Sequence, residues 1–132
     1  VGKQFFELMD YDVYKSPFKW EGEADLKYIK DNVYFGGYGI RTDIKTYNWM
    51  SKEFDMEVVT LKMTDEYLYH LDCSIFPINK ENCIVYSELF TKKELKKIER
   101  YTNIIDINTN CAYFGLTNSV KYYNAIKLII LF

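Results

Sequence analysis

The alternation of apolar and polar residues predicts two similar units along the chain, each with two strands, a helix and a third strand. In the first unit, the predicted elements are strands at 26–30 and 33–35, a helix at 44–54 and a strand at 57–63. In the second, they are strands at 67–76 and 83–86, a helix at 91–101 and a strand at 103–107. We therefore place the repeats near 26–63 and 70–107, and such repetition is typical of a propeller or another pseudo-symmetric array.

Residues at the ends of these elements support the prediction. Asp31-Asn32 is a turn pair between the first two strands. Thr42 or Asp43 can cap the first helix, and Thr91 caps the second in a capping box with Glu94. Outside the two units, the pattern predicts a short helix ending near residue 9, a short helix at 111–115 and two strands between 120 and 131.

Composition narrows the class of protein. A chain of 132 residues with 48% hydrophobic residues suits one α/β domain over 1–132. The net charge of -2 and the lack of a basic patch argue against nucleic acid as a partner. The longest apolar run, 128–132, is too short to span a membrane. The chain starts without methionine and stops inside an apolar segment, so we expect it to be a piece of something longer.

Cysteine and histidine usage argues against a metal site. Cys73, Cys83 and Cys111 are widely spaced, and the chain has one histidine, which cannot complete a common zinc site. We therefore expect no metal and no cofactor. Three unmatched thiols favour a reducing, cytoplasmic compartment. The glycine-rich stretch 36–42 lacks the spacing of a phosphate-binding loop, so phosphate is not expected there.

The candidate chemistry centres on His70 and Asp72. Successive side chains of a strand alternate between its faces, so these two would project to the same side and could act on one small substrate group. The alternative is a half-buried strand whose histidine is hydrogen-bonded and inert.

Three stretches occur in an order that resembles a known family. They are Trp20-Glu21-Gly22-Glu23-Ala24-Asp25, Gly37-Tyr38-Gly39-Ile40-Arg41-Thr42 and His70-Leu71-Asp72-Cys73. The chain resembles the guanidino-group-modifying (pentein) superfamily, and within it dimethylarginine dimethylaminohydrolase and the amidinotransferases. The resemblance implies an α/β propeller of ββαβ repeats, fivefold pseudo-symmetric when complete, of which this chain is a part.

The resemblance also implies roles for acidic residues. Glu21 matches the family's catalytic acid, which would hold the imidazole, although the motif differs by one residue and Glu23 is the alternative. Asp25 ends the same motif and is expected among the substrate-binding residues. Asp72 matches a carboxylate that accepts N–H bonds from the substrate guanidinium.

Two basic residues and a thiol complete the implied site. Arg41 matches the arginine that grips the substrate α-carboxylate, and His70 matches the general acid/base. The family nucleophile is a cysteine thiolate. Cys73, Cys83 and Cys111 do not match it, so we expect it beyond Phe132.

The function that the resemblance implies is hydrolysis of arginine or methylated arginine, with a small-molecule guanidino substrate. Two alternatives stay open: an arginine-dependent amidinotransferase, and a non-catalytic pentein-like module that binds a partner. We also expect a possible homo-oligomer or a complementary chain segment, because an incomplete propeller exposes strand edges.

Overall fold

The computed structural model describes residues 2–122 and 125–127 and contains four α-helices and eight strands in that part. In chain order they are α1 (Gly2–Leu8), β1 (Leu26–Lys30), β2 (Val33–Tyr38), α2 (Ile44–Phe54), β3 (Glu57–Lys62), β4 (Ile75–Pro77), β5 (Asn82–Val85), α3 (Lys92–Glu99), β6 (Asn103–Asp106), α4 (Thr109–Tyr113), β7 (Val120–Tyr122) and β8 (Ala125–Lys127). The fold is mixed α/β. Three short 3-10 turns lie at Gly22–Asp25, Leu71–Cys73 and Ser87–Leu89.

The strands form two small sheets with the same internal order. In the first, β1 pairs antiparallel with β2, and β2 pairs parallel with β3 after the crossover through α2. In the second, β4, β5 and β6 pair in the same two ways, with α3 in the crossover. β7 and β8 form a separate antiparallel hairpin. Each unit therefore runs strand, strand, helix, strand.

Local sequence explains the first unit. Asp31 takes the left-handed conformation in the β1–β2 turn, with φ of 50°, which aspartate tolerates better than most residues. Asp43 caps α2 by accepting the Lys45 N–H at 2.9 Å. Gly36 lies where a Cβ atom would come within 2.8 Å of the Tyr47 ring. This glycine of the glycine-rich stretch therefore serves close packing of α2 on β2.

The second unit begins its helix with the predicted capping box. The Thr91 hydroxyl accepts the Glu94 N–H, and Glu94 Oε2 accepts the Thr91 N–H at 3.0 Å. The other Glu94 oxygen accepts the N–H of Lys62 in β3 at 2.9 Å. One carboxylate therefore caps α3 and also joins the second unit to the first.

A shared apolar core lies between the two units. Its members include Phe35 and Leu61 from the first unit and Ile75, Val85 and Ile98 from the second, all fully buried. Leu71, also fully buried, lies in the segment that joins the units. Because the same cluster draws on both units, burial of this surface holds their relative position.

The strand predicted at 67–76 is wrong over most of its length. Only Ile75–Pro77 is a strand, while Leu71–Cys73 is a 3-10 turn and His70 precedes that turn in extended conformation. Asp65 accepts the N–H groups of Tyr67 and Leu68 at 2.8 and 2.7 Å, and a buried carboxylate accepts the N–H of Leu71. These side-chain acceptors compete with strand pairing for the backbone donors. His70 and Asp72 therefore do not share a strand face.

The remaining predicted elements occur with shifted ends. α3 ends at Glu99 and is followed by a turn, whereas the pattern placed its end near Tyr101. α4 begins at Thr109, two residues before the predicted start, because Asn108 caps it by accepting the Cys111 N–H at 3.0 Å. The final strand pair is present as β7 and β8, and the predicted continuation over 128–131 lies outside the described residues.

Within the described residues, no helix combines the length and the hydropathy that a membrane crossing requires.

We expect Glu94→Gln to lower the free energy of unfolding by about 1 kcal/mol at neutral pH, because it weakens the cap of α3 and the bond to β3. Burial raises the pKa of Glu94, but hydrogen bonds from Lys62 and Thr91 outweigh it and hold the pKa below its ordinary value. A carboxyl with a lowered folded pKa stabilises the fold above its unfolded pKa. The difference between the two proteins should therefore shrink as the pH falls below about 4.

Urea unfolding between pH 3 and pH 7 measures this effect. Glu99→Gln, an exposed change at the end of the same helix, is the matched control and should leave stability within about 0.5 kcal/mol. Equal effects of the two substitutions at neutral pH would contradict the role assigned to Glu94.

Candidate functional site

The candidate site lies where three irregular segments meet. The turn Gly22–Asp25 contacts β1, β2 and the turn Leu71–Cys73, and the loop between β2 and α2 closes the third side. The three stretches that carry the family resemblance supply these segments. Strand ends and turns present the polar side chains, while the core strands beneath them are rigid.

Asp25 is the innermost residue of the site, with 1% of its surface exposed. Its Oδ2 accepts the hydroxyl of Thr42 at 2.6 Å. Its Oδ1 accepts the N–H of Leu71 at 3.1 Å and lies 3.2 Å from Nδ1 of His70. A buried carboxylate is costly unless its lone pairs find donors, and here the Thr42 hydroxyl and the Leu71 N–H donate to it.

Thr42 and Tyr47 complete the support of Asp25. The Thr42 hydroxyl also accepts the N–H of Glu21 at 3.2 Å. The Tyr47 hydroxyl lies 2.7 Å from the carbonyl oxygen of Asp25 and 2.6 Å from that of Gly37. Burial, and then the charge of Asp25, raise the pKa of Tyr47, so its hydroxyl keeps its proton as a donor. These two residues fix the backbone and the side chain of Asp25.

His70 lies on the outer side of Asp25, with 17% of its side chain exposed. Because Nδ1 faces the carboxylate, Nε2 is the ring nitrogen left for other partners. The Tyr69 ring packs beside it, with the two ring centroids 4.6 Å apart. The histidine is therefore held on one edge and partly open on the other.

Glu21 and Arg41 form an ion pair at the rim of the site. Arg41 Nε donates to Glu21 Oε1 at 3.2 Å, and the guanidinium lies over the Tyr69 ring at 5.4 Å. The hydrogen bond from Arg41 holds the pKa of Glu21 below its usual value. A cleft of about 360 Å³, lined by Lys19, Tyr38 and residues 39–44, opens beside Arg41. Arg41 and Lys19 thus give the cleft two cationic side chains.

Glu23, the alternative to Glu21, points away from this network. Its side chain is 90% exposed and its recorded ion pair is with Lys27, at 3.6 Å. Glu21 is instead joined to the site through both Thr42 and Arg41. Of the two, Glu21 is the one that these hydrogen bonds join to the rim of the site.

Asp72 lies partly buried in the turn Leu71–Cys73. Burial raises the pKa of Asp72, while the charges of Lys27 and His70 oppose that effect. Asp72 follows His70 by two residues, in the same turn that donates the Leu71 N–H to Asp25. A cationic ligand group near His70 would meet negative charge on more than one side.

The cysteines differ from an activated thiol. Burial, and then the charge of Asp72, raise the pKa of Cys73 to about 11, which disfavours the thiolate. Cys83 is fully buried in the core of the second sheet. Cys111 lies in α4, outside the network around Asp25. Over residues 2–122 and 125–127, no group of three or more His, Cys, Asp or Glu could hold a metal ion.

Sequence reasoning predicted five site residues in three separate stretches, and the structure brings Asp25 against His70 and Glu21 against Arg41. Sequence reasoning did not predict that Thr42 donates to Asp25, that Tyr47 binds the carbonyl oxygen of Asp25, or that Tyr69 lies under the Arg41 guanidinium. The sequence analysis considered Thr42 only as a helix cap. Its place beside Arg41, in the stretch 37–42 that carries the resemblance, was a signal of a role in the site. The acceptor role of Asp25 toward the Leu71 N–H had no signal in the sequence.

Comparison with known proteins identifies relatives of this chain. No protein-family model matches the chain. The bifunctional arginine dihydrolase/ornithine cyclodeaminase AgrE of Nostoc sp. is 30% identical over 100 residues, which are 74% of this chain and 14% of AgrE. An N(G),N(G)-dimethylarginine dimethylaminohydrolase of Mycobacterium tuberculosis is 30% identical over 71 residues, or 54% of this chain and 23% of that enzyme.

A solved structure matches most of the chain. The N-terminal domain of ArgZ, a cyanobacterial arginine dihydrolase with its substrate bound, superposes with a TM-score of 0.78 at 27% identity. The match covers 89% of this chain and 46% of that domain, so the chain spans less than half of it. AgrE and ArgZ are found both by sequence and by structure. The chain belongs to the guanidino-group-modifying (pentein) superfamily.

Proposed function

We propose that this chain supplies the acid/base and guanidinium-binding part of a hydrolase that acts on arginine or methylated arginine. The observation that carries the proposal is that Asp25 contacts His70 and, through Thr42, binds the loop that presents the Glu21–Arg41 pair, while Asp72 follows His70 by two residues. A scaffold has no need of this combination. The arginine dihydrolase activity in the name of AgrE and the dimethylaminohydrolase activity in that of the mycobacterial enzyme support the same class of reaction.

Each residue has a task in this proposal. Asp72 accepts N–H bonds from the guanidinium, and Arg41 binds the α-carboxylate of the substrate at the cleft beside it. Glu21 orients Arg41 and adds negative charge near the cationic substrate. These contacts fix the central guanidinium carbon for attack.

His70 transfers the protons. A thiolate attacks the guanidinium carbon, the bond from that carbon to the departing nitrogen breaks, and His70 gives a proton to the amine that leaves. Water then attacks the covalent amidino intermediate while His70 takes its proton, and the carbon–sulfur bond breaks. The products are an amine and a ureido amino acid.

The thiolate is not assigned to this chain's cysteines. The raised pKa of Cys73 and the core position of Cys83 oppose both, and Cys111 lies on α4, outside the three stretches that form the site. We propose that the nucleophile comes from polypeptide outside these 132 residues. Exposed Phe5, Phe6 and Leu8 on α1 give such polypeptide, or a second copy of the chain, an apolar surface to cover.

We also propose that the two units belong to a fivefold propeller of ββαβ repeats, which their identical strand order supports. In the same way, one partial domain over 1–132 remains our proposal for the domain organisation. A cytoplasmic location is proposed as well, because Cys73 and Cys111 are free thiols.

A transferase would use the same residues, so products separate the two reactions. A hydrolase releases ammonia or a methylated amine and citrulline, or ornithine if the ureido group is hydrolysed in turn. An amidinotransferase with glycine as acceptor gives a new guanidino compound instead. Incubating the native polypeptide that carries this sequence with L-arginine or dimethylarginine, with and without glycine, distinguishes them.

His70→Ala in that polypeptide should lower turnover by about 100-fold or more, because the leaving amine and the attacking water lose their proton-transfer partner. Folding should persist, since two other donors still meet Asp25. Product formation by mass spectrometry and thermal unfolding measure the two effects. Turnover close to wild type in a folded variant would overturn the assignment.

Asp72→Asn should raise the KM for the guanidino substrate about 10- to 100-fold, because a charged acceptor for the guanidinium is lost. In the wild type, the raised pKa of Asp72 means that its carboxylate is protonated at higher pH than an exposed aspartate. KM should therefore rise as the pH falls through that range, and the variant should lose this dependence. Asp12→Asn, an exposed change, is the control; a parallel pH profile in wild type and Asp72→Asn would contradict the role.

Cys73→Ala and Cys111→Ala should each keep turnover within about threefold of wild type, because neither thiol is the proposed nucleophile, whose loss would abolish the covalent step. Steady-state rates with the same substrate measure this. A folded variant that loses activity completely would place the nucleophile in this chain.

A further inference from the structure

The position of Asp25 beneath His70 points to a task other than substrate contact. Asp25 is 1% exposed, whereas the His70 side chain is 17% exposed. Its two oxygens already meet the Thr42 hydroxyl, the Leu71 N–H and the His70 ring. A substrate that approaches from solvent would reach His70 first.

The carboxylate is also held in place from several directions. Thr42 donates to Oδ2 at 2.6 Å and Leu71 donates to Oδ1 at 3.1 Å, which fixes the plane of the carboxylate. Tyr47 binds the carbonyl oxygen of the same residue at 2.7 Å. Ionised carboxylates accept hydrogen bonds and donate none. The oxygen facing His70 is therefore a fixed acceptor.

Glu21 is the other carboxylate that could hold the imidazole, and its contacts differ. Its hydrogen-bond partner is Arg41, and 29% of its side chain is exposed. Arg41 lies between the Glu21 carboxylate and the Tyr69 ring that packs beside His70. Glu21 influences His70 through its charge, while Asp25 contacts the ring nitrogen directly.

We propose that Asp25 is the positioning residue of the site, which keeps the proton of neutral His70 on Nδ1 and leaves the Nε2 lone pair for proton transfer. This inference rests on the proposed acid/base function of His70. A ring with its proton on Nε2 would place two acceptors, Nδ1 and Oδ1, face to face at 3.2 Å. That arrangement is unfavourable for a buried pair. Asp25 therefore selects the tautomer and the ring orientation together.

Ring ¹⁵N NMR tests the tautomer without any substrate. In the native polypeptide that carries this sequence, comparison with the His70→Ala variant identifies the ring signals of His70. With the ring neutral, the wild-type chain should carry its proton on Nδ1. A wild-type spectrum with the proton on Nε2 would overturn the proposal.

Two matched variants separate the carboxylates. Asp25→Asn replaces the charged acceptor by a weaker amide oxygen or by an N–H₂ donor, and in either orientation the share of the Nε2–H tautomer should rise. Glu21→Gln should leave the tautomer unchanged. A tautomer that responds to Glu21→Gln and not to a folded Asp25→Asn would assign the role to Glu21. If Asp25→Asn fails to fold, the wild-type spectrum still shows which ring nitrogen carries the proton, and the Glu21→Gln spectrum shows whether Glu21 controls it.

Kinetics of the native polypeptide give a second test of the role of Asp25. Asp25→Asn should lower kcat by about 100-fold or more, as expected for a wrong tautomer, and change KM by less than about threefold. Asp72→Asn should mainly raise KM. A large KM effect of Asp25→Asn with unchanged kcat would return Asp25 to substrate binding. Should the polypeptide hydrolyse no guanidino compound, the proposed function fails, while the ring spectra still decide the role of Asp25.

Discussion

The buried charge of Asp25 is the constraint on which the site depends. An ionised carboxylate inside a protein is tolerated only when donors replace its water. Here the donors come from Thr42 in the first unit and from Leu71 and His70 at the start of the second. Removing one of them would leave a buried charge with fewer partners. The need to satisfy one carboxylate therefore holds three segments of the chain together.

The same constraint explains the irregular backbone around His70. A regular strand would direct the N–H of Leu71 into a neighbouring strand, and the N–H instead meets Asp25. Asp65 captures two further N–H groups just before it. Local hydrogen bonds to side chains thus replace sheet pairing at this point. The result is the turn Leu71–Cys73, which contains Asp72 and places His70 beside Asp25.

Outside this fixed centre, the site becomes more exposed and more easily rearranged. The side chains of Glu21 and Arg41 are 29% and 42% exposed. An exposed ion pair contributes little to stability, so a substrate carboxylate can compete for Arg41 at small cost. The exposure of Asp72 lies between that of Asp25 and that of Arg41, and burial raises its pKa. The proposed chemistry therefore combines a rigid proton-transfer group with adaptable contacts to the substrate.

The sequence by itself determined the two repeated units, because their helices and turns carry local signals. The Asp31-Asn32 turn, the Asp43 cap and the Thr91–Glu94 capping box all depend on neighbours within a few residues, and all are present. The ordered stretches around Glu21, Arg41 and His70 also placed the chain in its superfamily. The sequence could not show that residues 67–73 avoid a strand, that Glu21 pairs with Arg41, or that Asp25 lies beneath His70. Those features arise from hydrogen bonds between groups 20 to 46 positions apart. Tertiary packing, within the first unit for Glu21 and Arg41 and between the units for Asp25 and His70, brings such groups within reach.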